Sequence, residues 1–375
     1  MSNDSGLFRT ASDRGELSRP VPLYEAKMVH QFDHRWATYA DGGGGARDVT
    51  DGEKADASFQ VQPRYWVEER EVLLRVARLP RPVLKAAQDG DEMGVRAALA
   101  SWVAAYWLGC GEEPSRKRLG QVLGAFYADI PDDWAAWKAL APLALEQPPT
   151  EEDFRLIRES DTALPVLDEL LDAKSPRWLM GWRDIARSTD ERTVIASVVP
   201  MTATGDTLLL MFPNVTETRR LSGLLADQNS LVHDFVARQK VGGTHLKYHV
   251  KKQVPVLPSD YYAEEHIAFI APRVTELTYT TSDLKPWAED LGYTGKPFPW
   301  DAERRAMLRA ELDAYYARLY GLTRDELRYI LDPADVMGEE YPSETFRVLK
   351  EKELRAFGEY RTRRLVLEAW DRLPG

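Results

Sequence analysis

A polar stretch near the middle of the chain carries side chains that suit contacts with nucleic acid: Arg238, Lys240, Gly242, Gly243, Thr244, His245 and Lys247. Between Arg219 and Lys252 there are seven Arg or Lys residues against two Asp, a local balance of +5 in a chain with a formal net charge of −11. Cationic side chains bind phosphates, and short polar side chains can reach base edges. A helix C-terminus with a solvated basic face would produce the same pattern, so spacing alone leaves both interpretations open.

The elements that position this stretch are predicted from hydrophobic spacing. Apolar residues recur at roughly helical intervals up to Val236, which predicts a helix over 216–238. Gly242 and Gly243 are expected to end it, because glycine adopts positive φ without steric cost. An apolar, proline-containing run follows over Val254–Pro258.

Polar side chains are also concentrated among aromatic residues in the segment Leu23–Tyr39. Apolar residues recur there every four positions from Tyr24 to Trp36, which fits a helix or a strand and turn. The candidate contacts are Lys27, His30, Gln31, His34 and Arg35. The alternative for each of the two histidines is a hydrogen-bonded side chain at the edge of the core.

A third polar cluster precedes a predicted strand over Thr193–Val199. Arg187 and Arg192 could contact phosphates or a guanine edge. An internal ion-pair network is an equal alternative, with the carboxylates of Asp184, Asp190 and Glu191. A further buried strand is predicted over Leu208–Phe212.

Four phrases resemble the target-recognition region of large single-chain DNA adenine-N6 methyltransferases, the type IIG-like enzymes and those of DISARM and BREX phage defence. They are LYEAKMVHQFDHRWATY (23–39), WRDIARSTDERTVIASVVP (182–200), Gln239–His245 with Val254–Pro258, and ETFRVLKEKELRAFGEYRTRRLVLEAWDRL (344–373). The third phrase also resembles specificity subunits of type I systems. The resemblance implies that these segments lie near DNA, and it adds Arg64, with Tyr65 and Trp66, as contacts.

The expected fold class is α+β, a mixed strand and helix DNA target-recognition domain with a helical insertion and a C-terminal helical region. The predicted division is 1–82 and 176–262 for the two parts of the recognition region, 83–175 for the insertion and 263–375 for the helical region. Phe59–Val67 is predicted as a strand, and Asp41–Glu53 as a glycine-rich acidic loop. Helices are expected over 264–271, 303–321, 323–331 and 343–372, with Thr323 as an N-cap.

Two motifs in the insertion imitate parts of a methyltransferase active site. Trp107–Gly111 looks like a glycine loop that holds S-adenosylmethionine, but it follows a helical run instead of a strand. Gln147–Thr150 has neither the Asn nor the aromatic residue that an Asn-Pro-Pro-Tyr/Phe motif provides for a flipped adenine. The insertion is acidic, with eleven Asp or Glu against three Lys or Arg over Asp132–Asp172, and should face away from DNA.

Composition describes an ordinary globular protein with 44% hydrophobic and 29% charged residues. No apolar run approaches the ~20 residues of a membrane helix, and the polar N-terminus is not a signal peptide. The single cysteine, Cys110, excludes a disulfide framework and fits the cytoplasm. Six histidines without metal-ligand spacing predict no metal site.

The expected function is sequence-specific binding of double-stranded DNA, with no catalytic residue and no cofactor in this chain. A methyltransferase catalytic domain, in cis or in trans, would supply S-adenosylmethionine and the chemistry. The alternatives are a complete enzyme with an unread active site, and an inert remnant or scaffold that binds protein partners. Phosphate contacts are a further alternative to a solvated surface for Arg347, Lys350, Arg361, Arg363 and Arg364.

Overall fold

The chain is described by a computed structural model that covers residues 4–40, 44–215, 217–342 and 345–373. It is 55% helical and 10% strand, so the expected α+β class is confirmed. No helix in these ranges is long and apolar enough to cross a membrane. Residues 41–43 of the predicted glycine loop, Thr216 at the start of a predicted helix, and Ser343 and Glu344 at the start of another lie outside the described residues.

The strands are short and the helices numerous in the described part of the chain. The strands are β1 (Pro20–Tyr24), β2 (Ala37–Tyr39), β3 (Ala46–Asp48), β4 (Trp66–Glu68), β5 (Trp178–Arg183), β6 (Ala196–Pro200), β7 (Ala203–Thr204) and β8 (Leu208–Met211). The α-helices are α1 (Asp51–Ala55), α2 (Glu69–Val76), α3 (Arg81–Gln88), α4 (Glu92–Gly109), α5 (Arg116–Leu123), α6 (Trp134–Glu146), α7 (Glu151–Glu159), α8 (Ala163–Lys174), α9 (Thr218–Asn229), α10 (Leu231–Lys240), α11 (Tyr248–Lys251), α12 (Glu264–Thr278), α13 (Lys285–Asp290), α14 (Ala302–Leu319), α15 (Arg324–Leu331), α16 (Ala334–Met337), α17 (Arg347–Phe357) and α18 (Arg361–Arg372). Short 3₁₀ helices cover Ser5–Leu7, Arg14–Glu16, Ala26–Met28, Gly124–Asp129, Ser259–Tyr261 and Ser282–Leu284.

The chain forms two compact units. The main unit runs up to Val67 and resumes at Arg177, and the helical unit is Glu68–Pro176. In the helical unit, α4 packs on α3, α6 and α8, and its residues Leu99, Trp102 and Val103 are completely buried. The helical unit begins before the predicted insertion at 83, because α2 packs on α3 and α8.

Neither imitation motif of the helical unit has the structure that methyltransferase chemistry requires. Gly109 is the last residue of α4, so no strand precedes it. Thr150 caps the N-terminus of α7, where its side chain accepts a hydrogen bond from Asp153 N. The carbonyl of Gln147 accepts a hydrogen bond from Trp102 Nε1 at 2.9 Å. Gly109 therefore ends one helix, and Thr150 begins another.

Three small sheets lie in the main unit. β5 is the central strand of an antiparallel sheet with the order β6-β5-β8, in which Met180 pairs with both Val198 and Met211. β1 lies between β4 and β7 and pairs in parallel with β7, and β2 pairs with β3 in antiparallel register. The Leu23–Tyr39 segment is therefore a strand, a turn and a strand, one of the two arrangements that its spacing allowed.

Two clusters of buried side chains share α14. The first packs β5 and β6 against α9, α12 and one face of α14, which contributes Leu308, Leu312 and Tyr316. The second packs α10, α15, α17 and α18 against its opposite face, which contributes Ala310 and Ala314. Because α14 is buried on two sides, a narrow strip of the helix between them remains for other contacts.

Several predicted elements are shorter or interrupted. The helix predicted over 216–238 is two helices, because Ser230 leaves the helical conformation and its side chain accepts a hydrogen bond from His233 N. The helix predicted over 343–372 is interrupted at Gly358, which has a left-handed φ of 73°. The strand predicted over Phe59–Val67 is confined to β4 at its end. Thr323 caps α15 as predicted, in a capping box with Glu326.

Candidate nucleic-acid interface

The loop over 242–247 is exposed and follows α10. The helix ends at Lys240, and Val241 is already extended. Neither Gly242 nor Gly243 has positive φ, so the predicted conformational reason for the two glycines is wrong. Both glycines are exposed, as are Thr244, His245 and Lys247.

Backbone hydrogen bonds hold this loop against the residues that follow β5. Ile185 forms a bridge with His245, and Ala186 N donates to Thr244 O at 3.1 Å. Leu246 N donates to Asp184 O at 2.7 Å, and the Leu246 side chain is completely buried. The loop therefore has a fixed path even though its polar side chains are exposed.

A buried carboxylate beneath the loop holds two of these exposed side chains. Asp184 is completely buried, and its Oδ2 lies 2.9 Å from Nδ1 of His245 and 2.6 Å from Nζ of Lys247. A carboxylate can only accept, so Nδ1 of His245 carries the hydrogen and Nε2 is left to face a ligand. About half of each of these two side chains remains exposed.

The second part of the interface is a strained turn formed by residues 30–33. His30 N donates to Asp33 O at 2.7 Å, and Asp33 N donates to His30 O at 3.0 Å. Between them, Phe32 has a φ of 58°, the one positive value at a non-glycine position among the described residues. A left-handed conformation costs an L-residue about 1–2 kcal/mol, so the surrounding contacts must enforce it.

Long-range hydrogen bonds enforce the turn. Phe32 N donates to Ala196 O at 3.2 Å, and the Gln31 amide donates to the carbonyls of Val194 and Asn229 at 3.0 and 3.2 Å. The carboxylate of Asp33 accepts from buried Lys54 at 2.7 Å. The turn is thereby fixed to β6 and the end of α9, and it presents His30 at a defined position.

A cavity of about 630 Å³ lies in front of this turn, within the main unit. Its charged lining residues are the cations Lys27, Arg183 and Arg192 and the carboxylates Glu25, Asp190 and Glu191, and His30 and Ile185 form part of the wall. Ile185 is 52% exposed and bridges to His245, so the cavity adjoins the 242–247 loop. We call this cavity and loop together the basic cleft. It brings together residues from three of the four phrases.

Burial and nearby arginines favour a neutral imidazole at His30. Burial lowers the pKa of His30 well below its usual value, and the nearby charges of Arg183, Arg309 and Arg192 lower it further. The ring stacks on Trp36, with 4.2 Å between centroids. A neutral His30 can donate one hydrogen bond and accept another.

Arg183 is a cleft residue that the sequence analysis missed. No hydrogen bond or ion pair of its guanidinium is found among the described residues, and it is partly exposed at the cavity wall. Burial lowers the pKa of Arg183, but a guanidinium stays charged at neutral pH. The alternation of a strand could have revealed it, since Trp182 faces the core and the next residue must face the other way.

Some predicted contacts lie in the interior and serve the fold. Arg35 is completely buried, and its guanidinium donates to the carbonyls of Lys54, Asp56 and Phe59 and to Thr280. It therefore cannot contact DNA in this conformation, which corrects the prediction. His34 is also buried, with Nε2 3.2 Å from the carboxylate of Asp283.

The same correction applies to Arg238 and Gln31. Arg238 pairs with Asp234 at 2.9 Å and donates to the carbonyls of Ser188 and Asp190. The Gln31 amide is consumed by the two carbonyls that fix the turn. Both side chains are buried, which leaves no donor for a ligand.

Arg192 both stabilises the fold and lines the cleft. It is 8% exposed, pairs with Asp234 at 3.1 Å and donates to Asn229 O, so it is paired internally, but with a carboxylate other than Asp184, Asp190 and Glu191 of the alternative given above. It also lines the cavity, so its positive charge acts on the cleft. Direct contact with a ligand would involve only a small part of its surface.

The remaining predicted contacts are exposed. Lys27 lies 3.3 Å from Glu25 at the cavity wall, and Arg64 lies over the ring of Tyr65 at 5.1 Å. Arg187 and Lys240 are exposed side chains. These residues are available to a ligand, although only Lys27 lines the cavity.

No protein-family model, no curated protein and no solved structure matches this chain. The described residues contain no group of three or more His, Cys, Asp or Glu side chains that could hold a metal ion. The geometry of the basic cleft and the resemblance of the four phrases remain as the indications of function.

Proposed function

We propose that the main unit binds double-stranded DNA through the basic cleft, as the target-recognition portion of a site-specific adenine-N6 DNA methyltransferase of a restriction-modification or phage-defence system in the cytoplasm. The observation that carries the proposal is the convergence of three phrases, distant in sequence, on one accessible cleft, where cations lie beside carboxylates. Lys27 and His30 come from the first phrase, Arg183 from the second and His245 from the third.

The charges of the cleft support contacts with phosphates. Arg183 forms no hydrogen bond or ion pair among the described residues, although the charge of Asp190 in the same wall acts on it, and Lys27 and Lys247 are about half exposed despite their ion pairs. The Lys27–Glu25 pair is partly exposed, and exposed ion pairs contribute little to stability, about 0–1 kcal/mol, so a phosphate can compete for Lys27. Asp184 is completely buried, so Lys247 would contact a phosphate through its exposed half while it keeps this partner. The overall charge of −11 limits indiscriminate binding elsewhere on the chain.

The loop supports contacts with base edges. Thr244 and His245 are exposed polar side chains on a fixed backbone, which is the arrangement that direct readout requires. A Cβ at Gly242 or Gly243 would meet no atom within 4 Å, and neither residue needs positive φ. The chain itself therefore does not require glycine there, whereas a partner that approaches the backbone closely would.

Methyl transfer is assigned to another domain. The sequence contains no Asn-Pro-Pro motif, and the residues that imitate one cap a helix. A methyltransferase domain, in cis in a longer chain or in trans, would hold S-adenosylmethionine and the flipped adenine. The main unit would determine which duplex reaches it.

Fluorescence anisotropy with pooled random duplexes, repeated across a salt series, tests the proposal. Each lost phosphate contact reduces the slope of log K against log salt by about 0.9 for a duplex, so the double variant R183A/K247A should lower it by about 2. R324A is the matched control, because Arg324 is an exposed arginine that pairs with Asp371 at 2.8 Å outside the cleft. Its slope should equal that of the unmodified chain.

Two results would overturn the proposal: an affinity for duplexes that does not depend on salt, or an unchanged slope for R183A/K247A. Capture of a defined protein partner without DNA, together with either result, would instead support the scaffold function. Circular dichroism melting of all variants separates loss of binding from loss of structure.

A further inference from the structure

A second cavity in the main unit, of about 320 Å³, lies on the other side of the strained turn. It is lined by the strip of α14 between its two buried faces, by α17 and α18, and by His30 and Phe32. The strip consists of Ala302, Ala306, Arg309 and Asp313. These positions follow helical spacing, so all four side chains point the same way.

Arg309 is the uncommitted charge of this cavity. Its guanidinium has no hydrogen bond or ion pair among the described residues, and the residue is exposed. Asp313, one turn further along α14, accepts instead from Leu231 N at 2.7 Å. The charges of Asp313, Glu191 and Glu353 act on Arg309, but no ion pair with them is formed among the described residues, so the donors of the guanidinium remain available to an anion.

The other charged lining groups are already paired. Lys352 lies 2.7 Å from Glu191, and Arg361 lies 2.6 Å from Glu303. The carboxylate of Glu353 accepts from Thr362 N at 2.7 Å and from its hydroxyl at 2.6 Å. Thr362 is neutral, so Glu353 keeps its negative charge, whereas Arg192 adds positive charge to the shared wall.

Apolar side chains form the rest of the lining. Leu349, Leu365 and Phe357 face the cavity, and Phe357 is 53% exposed. A free guanidinium favours planar, bidentate contact with phosphate. Leucine and phenylalanine side chains favour a flat apolar group. The volume lies at the lower end of the range for small-molecule sites, about 300–1,000 Å³.

We propose that this cavity binds a phosphate-bearing nucleotide, with its phosphate on Arg309 and its base against Phe357 and Leu365. The phosphate could belong to a free nucleotide or to a DNA strand, and the chemistry of recognition is the same for both. The site goes beyond the basic cleft and does not depend on duplex binding there.

Isothermal titration calorimetry of the full chain with AMP, inorganic phosphate and adenosine tests the proposal, together with anisotropy for a duplex. R309A should weaken AMP binding by about tenfold or more, as loss of a charge-assisted hydrogen bond implies, and leave adenosine binding unchanged. A306F fills the cavity and should abolish both. R304A is the matched control on α14, because Arg304 is an exposed arginine that pairs with Glu276 at 2.8 Å.

The results distinguish the two sources of phosphate. AMP binding that requires Arg309 and persists in R183A/K247A supports a free nucleotide, whatever the outcome for the cleft. Duplex binding that weakens in R309A but not in R304A, without AMP binding, supports a strand phosphate. Equal affinity of R309A and the unmodified chain for AMP and duplex, or no binding of either, overturns the proposal.

Discussion

The exposed imidazole of His245 donates its Nδ1 hydrogen to the buried carboxylate of Asp184, with 2.9 Å between Nδ1 and Oδ2. The same oxygen lies 2.6 Å from Nζ of Lys247. Asp184 is fixed by its burial and by the backbone bond from Leu246. It is therefore a positioning residue that orients two side chains of the basic cleft from below.

Substitution of Asp184 by Asn should release His245. A neutral amide cannot form the charge-assisted hydrogen bond, whose net value is about 1.5 kcal/mol, or about a tenfold change in an equilibrium. We expect the Nδ1 hydrogen of His245 to exchange with solvent about tenfold faster in D184N. NMR of the imidazole nitrogen resonances measures this rate.

The control for D184N is D206N, because Asp206 is an exposed aspartate. In D206N, the Nδ1 hydrogen of His245 should exchange at the same rate as in the unmodified chain. An unchanged rate in D184N would show that Asp184 does not orient the imidazole.

Substitution of Arg35 by Met should destabilise the main unit by about 3–5 kcal/mol, because several buried acceptors lose their donor. The guanidinium of Arg35 reaches the carbonyls of Lys54, Asp56 and Phe59 and both oxygens of Thr280. Urea denaturation followed by tryptophan fluorescence measures the change.

The control is R64M, since Arg64 is exposed and its loss should change stability by less than about 0.5 kcal/mol. If R35M were as stable as R64M, the buried hydrogen bonds of Arg35 would not contribute to the fold.

Arg35 and Arg183 show why the interface was only partly predictable. Both are arginines in phrases with aromatic neighbours, and their local sequences do not distinguish them. Arg35 is buried because acceptors from Lys54 to Thr280 converge on it, a long-range arrangement that periodicity cannot reveal. Arg183 is accessible because β5 buries Trp182 on its other face.

The elements of the fold were likewise predictable where local sequence determines them, and less so where long-range contacts do. The helical character of the insertion and the cap at Thr323 depend on local signals, and α4, α6 and the cap are present. The break at Ser230 was missed because apolar spacing continues across it, although a serine side chain is a favourable N-cap. Phe59–Val67 has the composition of a strand, but only its end finds a partner in β1.

The left-handed φ of Phe32 predicts an unusual order of stability for two substitutions. F32A and F32G both remove a side chain that is 3% exposed and belongs to the first core cluster. In most positions glycine is less stable than alanine by about 0.5–1 kcal/mol. At Phe32, alanine must also pay about 1–2 kcal/mol for positive φ, so F32G should be more stable than F32A by about 0.5–1 kcal/mol.

Urea midpoints of F32A and F32G measure this difference directly. The comparison V198A against V198G is the control, because Val198 is buried in β6, where the usual order should hold. F32A more stable than F32G would mean that the turn relaxes to negative φ once the ring is removed.

The burial of Asp313 predicts that the stability of the folded chain depends on pH in the opposite direction from that expected for a paired carboxylate on the surface. Burial raises the pKa of Asp313 from 3.8 to about 6, against the opposing effect of Arg192, Leu231 N and Arg309, and Asp234 adds negative charge. The folded chain therefore keeps a proton that the unfolded chain loses near pH 4. The folded chain is therefore most stable, with respect to this group, below about pH 4, where Asp313 is protonated in both states. It loses stability as the pH rises through about 6 and the buried carboxylate ionises.

Replacement of Asp313 by Asn should remove this dependence, since an amide oxygen can still accept from Leu231 N. Two pKa units correspond to about 3 kcal/mol, so D313N should exceed the unmodified chain in stability by up to about 3 kcal/mol at pH 8 and match it at pH 4. Urea unfolding at both pH values measures the two differences, with D206N as the exposed control. A D313N chain that is less stable at pH 8 would mean that ionised Asp313 gains more from Arg192 and Arg309 than its burial costs.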